Sequence, residues 1–110
     1  MSTLNARDYW ERQIAEACAE YGFDAGTLQR YVINGIEPGG FMFAVLINDF
    51  LGAVSRADSF NQKHLHEWAR VIYNDVPRQC HGSPELVTAW IKAGGILGMA
   101  SSAEAMEPQQ

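Results

Sequence analysis

The segment from Phe41 to Val54 constrains the fold most, because a helix drawn through it is apolar on almost every side. Such a helix has to be covered by its neighbours rather than by water. We therefore expect a helix over residues 41–55 to be buried at the centre of the fold. Asn48 lies among its apolar positions and is expected to be buried with a hydrogen-bonding partner. The main apolar face comprises Phe43, Leu46, Ile47, Phe50, Leu51 and Val54.

Four further helices are predicted from apolar residues that recur three and four positions apart. They cover residues 5–21, a short segment from 24 or 27 to 34, residues 59–74 and residues 83–93. The last of them opens with Ser83 and Pro84, a capping residue followed by proline at the first helical position. No segment has the convincing alternation of a β-strand. The sequence therefore predicts an all-α fold, a compact single-domain bundle of about five helices over residues 1–100, followed by a frayed tail at residues 101–110.

The chain has 110 residues, of which 47% are hydrophobic. This length fits one domain, and this apolar fraction excludes a disordered chain. The first eight residues are polar, and no apolar run approaches the ~20 residues that a membrane span requires. We therefore expect a soluble, cytoplasmic protein that does not act at a membrane.

The chain carries eight basic and thirteen acidic residues, a formal net charge of −5. Proteins that bind nucleic acid directly usually present a basic stripe that neutralises phosphates. The basic residues of this chain are scattered, so direct binding to DNA or RNA is not expected. An acidic surface suits a protein partner instead.

The acidic excess is concentrated near the N-terminus. Residues 1–24 hold five acidic residues and two arginines, a local charge of −3. The five acidic residues are Asp8, Glu11, Glu16, Glu20 and Asp24. A solvated helix face is the ordinary interpretation, and contact with a basic, nucleic-acid-handling protein is the functional hypothesis.

A second candidate site for a ligand or partner lies in the central helix and just after it. Asp49 and Arg56 are two helical turns apart, and the small residues Gly52 and Ala53 lie between them. Such an arrangement can receive a small ligand or the loop of a partner. It can equally be an internal network that ties two helices together. The candidate residues of this site are Asn48, Asp49, Arg56 and Asp58.

Cysteine and histidine residues show no spacing typical of a metal site, so no metal and no other cofactor are expected. His64 and His66 are two residues apart, which turns them to nearly opposite sides of a helix. Cys18 lies on an apolar stripe and is expected in the core. Cys80 and His81 are the residue types of a nucleophile and a base, but adjacent side chains usually diverge. The protein is therefore not expected to be an enzyme, and catalysis by Cys80 and His81 is the third hypothesis.

Short motifs between residues 31 and 95 resemble a family of small uncharacterised proteins encoded by bacteriophages and prophages. The resemblance rests on Gly35-Ile36-Glu37-Pro38-Gly39-Gly40-Phe41, Ala44-Val45-Leu46, Asn48-Asp49, Arg56-Ala57-Asp58, Asn61, Tyr73-Asn74-Asp75, Pro77, Gly82-Ser83-Pro84-Glu85 and Trp90-Ile91. It implies a phage accessory protein that acts on host machinery or host defence. It assigns no chemistry to any residue.

These observations lead to one principal hypothesis and one runner-up. The principal hypothesis is a non-enzymatic phage or prophage protein that binds and modulates a host protein in the host cytoplasm. Inhibition of a bacterial defence system, such as a CRISPR effector, is its most concrete form. The runner-up is a protein that binds or sequesters a small ligand such as a nucleotide signal. Homo-oligomerisation is compatible with both hypotheses.

Overall fold

The computed structural model describes residues 3–99, with side chains from residue 6 onward. All regular structure in this range is helical, which confirms the all-α prediction. The helices are α1 (Thr3–Tyr21), α2 (Gly26–Asn34), α3 (Gly40–Leu46), α4 (Phe50–Arg56), α5 (Ser59–Lys63), α6 (Leu65–Asp75), a 3₁₀ helix (Arg78–Cys80) and α7 (Pro84–Ala93). Residues 95–99 are again helical after a turn. The tail predicted at residues 101–110 lies outside the described residues.

The predicted count of about five helices is wrong, because two of the predicted helices are interrupted. The first interruption separates α3 from α4. Asn48 there adopts the left-handed conformation, with φ of 65°, and the Asp49 carboxylate accepts a hydrogen bond from the Gly52 backbone N–H at 2.9 Å. Asp49 therefore caps a new helix, which packs back against α3.

The interruption also overturns the prediction of a single buried central helix. Three residues of α3, Met42, Ala44 and Leu46, are buried, but only Ala53 is buried in α4. Phe50 is 67% exposed and Leu51 is 77% exposed, because α4 is covered on one side alone. Asn48 is also exposed rather than buried.

The second interruption lies at His64 and divides the predicted fourth helix into α5 and α6. Asp58 caps α5 by accepting a hydrogen bond from the Asn61 backbone N–H at 2.7 Å. The Trp68 indole N–H then donates to the Asn61 side chain at 2.8 Å, which ties α6 back to α5. The predicted segment is thus helical as its spacing indicates, but it is not one continuous helix.

Helix α6 lies against both α1 and α3, so its buried residues join two parts of the core. The Trp68 ring stacks on Phe23 at a centroid distance of 4.0 Å. The buried Tyr31 hydroxyl donates to the Cys80 carbonyl at 2.6 Å, and the Trp90 indole N–H donates to the Tyr31 carbonyl at 3.1 Å. These bonds connect α2 to the 3₁₀ helix and to α7, and they fix the relative positions of these three elements.

Candidate functional site

The five N-terminal acidic residues form a surface that we call the acidic surface, comprising Asp8, Glu11, Glu16, Glu20 and Asp24. All five are exposed. Four of them lie on α1, and Asp24 lies in the turn that follows. The structure therefore places the whole set in contact with solvent, as the amphipathic spacing predicts.

Contacts on the opposite side of α1 fix the orientation of this surface. Ile14 and Cys18 are fully buried against the core. The Gln13 side chain donates a hydrogen bond to the Asp75 carboxylate on α6 at 2.7 Å. The Gln29 side chain on α2 donates to the Glu11 backbone carbonyl at 2.9 Å. Because α1 is held by two neighbouring helices, its charged face cannot turn inward.

The five carboxylates of the acidic surface differ in the ion pairs and hydrogen bonds that they form within the protein. The Glu11 carboxylate lies 3.7 Å from the Arg7 guanidinium, an exposed pair one helical turn apart. The Asp24 carboxylate accepts a hydrogen bond from the Gly26 backbone N–H at 2.9 Å. Among the described residues, no cation lies within ion-pair distance of Asp8, Glu16 or Glu20. Those three carboxylates have their charge available to a partner.

The charge of the remaining described chain is balanced, which makes the acidic surface stand out. Residues 25–99 contain six basic and six acidic residues, so their charges cancel. Of the net charge of −5, residues 1–24 therefore carry −3, and residues 100–110 carry −2. A basic partner would be attracted chiefly to α1 among the helices described.

The second candidate site is built around Gly52, which lies between the Asp49 carboxylate and the Arg56 guanidinium. A β-carbon on Gly52 would overlap the Asp49 carboxylate and would approach Arg56 Nη1 to 2.9 Å. The guanidinium donates to the Gly52 carbonyl at 3.3 Å, and the Arg56 side chain also lies over Gly40 at the start of α3. These contacts tie α4 to α3, the two halves of the segment predicted as one helix, and not to the predicted helix over residues 59–74.

The structure separates the four residues of this second site. Asp49 and Arg56 line a groove of about 270 Å³ beside Glu37 and Pro38. Asp58 caps α5 instead, and Asn48 lines a different groove, described below. The side chains of Asp49 and Asp58 therefore both have a capping role, which sequence spacing alone did not distinguish from a ligand role.

Both cysteine thiols are free and fully buried. Burial raises the pKa of the Cys18 thiol to about 11, with the nearby Asp24 and Asp75 carboxylates adding to the shift. Burial likewise raises the pKa of the Cys80 thiol to about 12. Covalent catalysis needs an accessible thiolate, and the Cys80 thiol is protonated and enclosed at neutral pH.

We expect both thiols to resist modification in the folded protein. At pH 8 a water-soluble disulfide reagent should label less than about a tenth of the thiols, in a time that suffices to label an unfolded control completely. The reaction is slow because neither sulfur is exposed or ionised. Addition of denaturant should release two reactive thiols per chain. Rapid labelling of Cys80 in the native protein, abolished in Cys80→Ala, would contradict the burial of this thiol and would support the third hypothesis.

The three histidines lie in different environments. The His64 ring is within 3.3 Å of the Glu67 carboxylate and stands edge-on to Phe23. His66 is exposed, and His81 is half-buried with its pKa lowered by burial. In the range from residue 3 to residue 99, no three His, Cys, Asp or Glu side chains converge as metal ligands.

A groove of about 700 Å³ lies between the end of α3, the outer face of α6 and the turn after the 3₁₀ helix. Its walls carry Asn48, His66, Arg70, Tyr73, Asn74 and His81. Sequence reasoning missed this groove, although His66, Arg70 and Tyr73 follow one another at four and three residues on α6. That spacing places them on one helix face and was the available signal.

Comparison of the chain with protein families, with curated proteins and with solved structures finds no match. None of the described helices is long and apolar enough to cross a membrane.

Proposed function

We propose that this protein acts by binding another protein, and that the acidic surface of α1 is the docking face. The partner would present a basic surface, as proteins that handle nucleic acid do. The observation that carries the proposal is the outward position of Asp8, Glu16 and Glu20, which lack a cation of their own among the described residues. Complementary charge raises association rates and selects among partners.

The biological setting belongs to the same proposal. The motifs between residues 31 and 95 resemble phage and prophage proteins, which supports an accessory protein that acts inside a bacterial host. Host defence systems that use nucleic acid, such as CRISPR effectors, offer basic grooves of the kind that this surface fits. The protein would then inhibit by occupying such a groove, without a chemical step of its own.

The experiment that tests the proposal compares proteins captured from bacterial lysate by the wild-type chain and by the double variant Glu16→Lys with Glu20→Lys. Both positions are exposed on α1. The free energy of unfolding should change by less than about 1 kcal/mol, because each pair of like charges one helical turn apart costs only a few tenths of a kcal/mol. We expect the double variant to capture at least about tenfold less of the partner than the wild type does. Quantitative mass spectrometry measures the loss.

A matched control keeps the same change in net charge but places it elsewhere. Glu37→Lys with Glu85→Lys also alters two exposed residues, and each double variant raises the formal charge from −5 by four. The control should retain the partner. Equal loss from both double variants would contradict the proposed docking face. Because Glu37 also lines the groove beside Asp49 and Arg56, the single variant Glu85→Lys then separates an effect of net charge from docking at that groove.

The groove beside Asp49 and Arg56 is tested in the same assay. Asp49→Asn keeps an oxygen that can cap α4 and removes the charge, and Arg56→Gln removes the guanidinium. Loss of the partner in these variants, with retention in the α1 double variant, would move the docking site to this groove.

A further inference from the structure

The groove between α3 and α6 has the opposite electrostatic character from the acidic surface. Arg70, His66 and His81 line it, and no carboxylate from residues 6–99 does. The two acidic side chains of α6 are engaged elsewhere, because Glu67 contacts His64 and Asp75 accepts a hydrogen bond from Gln13 on α1. In a chain with a net charge of −5, the described side chains of this groove therefore include one permanent cation, Arg70, and no anion.

The polar side chains of the groove are available to a ligand. Among the described residues, the side chains of Asn48, His66, Arg70 and His81 form no hydrogen bond and no ion pair with one another or with the rest of the fold. A guanidinium carries five N–H donors in a planar fork that matches the oxygens of phosphate. Asn48 lines the groove just beyond the end of α3, where its backbone adopts φ of 65°.

The same groove offers a surface for a planar aromatic group. Tyr73 is 80% exposed, three residues beyond Arg70 on the same face of α6. Val45, Ala69 and Ile72 add apolar surface to the walls. An aromatic ring held in water can stack on a nucleobase, a contact worth roughly 1–3 kcal/mol. The volume of about 700 Å³ lies within the range of sites for small ligands.

We propose that this groove binds a nucleoside phosphate, with the phosphate at Arg70 and the histidines and the base against Tyr73. A free inorganic phosphate would make the contacts with Arg70 and the histidines, but it has no base to place against Tyr73. The assignment does not rest on the proposed partner of α1, since none of the groove residues belongs to the acidic surface. The site is distinct from the Asp49–Arg56 groove, which Glu37 makes partly acidic.

Calorimetric titration with AMP, GMP, CMP, UMP and inorganic phosphate tests the assignment. We expect saturable binding of at least one nucleotide with a Kd below about 1 mM, and binding of phosphate that is weaker by about tenfold. Arg70→Gln should weaken nucleotide binding by about tenfold or more, because it removes charge-assisted hydrogen bonds. Arg30→Gln changes an exposed arginine on α2 and should leave the affinity unchanged.

Tyr73→Leu separates the two halves of the site. It should weaken nucleotide binding by about tenfold and leave phosphate binding unchanged, because only the base contacts the ring. Circular dichroism of each variant verifies that the fold persists. Absence of saturation for all four nucleotides, or equal binding by wild type and Arg70→Gln, would overturn the assignment. Tighter binding of a single-stranded oligonucleotide than of any mononucleotide would also overturn it, in favour of a nucleic-acid surface.

Discussion

Gly35→Ala or Gly95→Ala should destabilise the protein by about 3 kcal/mol or more. The two glycines lie at a close approach between the end of α2 and the turn after α7. A β-carbon on Gly35 would lie 2.6 Å from the Gly95 nitrogen, and one on Gly95 would lie 2.5 Å from the Gly35 nitrogen. Both residues also have φ of 68°, which alone costs an alanine about 1–2 kcal/mol. Urea unfolding, monitored by circular dichroism, measures the decrease in the free energy of unfolding.

Two other glycines provide the controls. Gly22 has φ of 75°, but no atom of the described residues lies within 4 Å of its added β-carbon, so Gly22→Ala reports the conformational cost alone. Gly39 has no positive φ and no neighbour within 4 Å in the same part of the chain, and Gly39→Ala should be nearly neutral. A Gly35→Ala variant no less stable than Gly22→Ala would show that α2 and the turn after α7 do not meet as described.

Leu46→Ala should cost about 2–5 kcal/mol, because Leu46 is fully buried at the end of α3 and a truncated side chain leaves a cavity. Leu51→Ala is the matched substitution on α4. Since Leu51 is 77% exposed, its truncation should change the free energy of unfolding by less than about 0.5 kcal/mol.

This pair of variants tests the break between α3 and α4. An uninterrupted helix would bury both leucines on its main apolar face, and both truncations would then be costly. Equal losses at the two positions would therefore contradict the separation of α3 from α4 at Asn48.

Local sequence signals predicted the helices that end in clear caps. Gly22 and Gly35 follow α1 and α2 with positive φ, and the Ser83 hydroxyl caps α7 by accepting from the Leu86 backbone N–H at 3.2 Å. The break at Asn48 escaped prediction because apolar periodicity continues through it. Periodicity does not show that an asparagine can turn left-handed and let an aspartate restart the helix.

The candidate sites were predictable to different degrees for a physical reason. Four of the five residues of the acidic surface belong to one helix, so the spacing of Asp8, Glu16 and Glu20 along α1 was sufficient to predict their exposure. The groove at Arg70 is assembled from α3, α6 and the turn at His81, and its shape depends on how these elements pack. The spacing of His66, Arg70 and Tyr73 aligns them on α6, but no local pattern shows how α3 and the turn at His81 pack beside them.

Docking of a basic partner on the acidic surface is tested most directly by its association rate constant. This rate constant is measured for the captured partner and the purified protein as a function of ionic strength. We predict that the rate falls by about tenfold or more between ~10 mM salt, where the Debye length is about 30 Å, and ~1 M salt, where it is about 3 Å. The variant Glu16→Lys with Glu20→Lys should associate slowly at both salt concentrations. Equal rates for the wild type at both concentrations, unchanged by the two reversals, would contradict the acidic surface as the docking face.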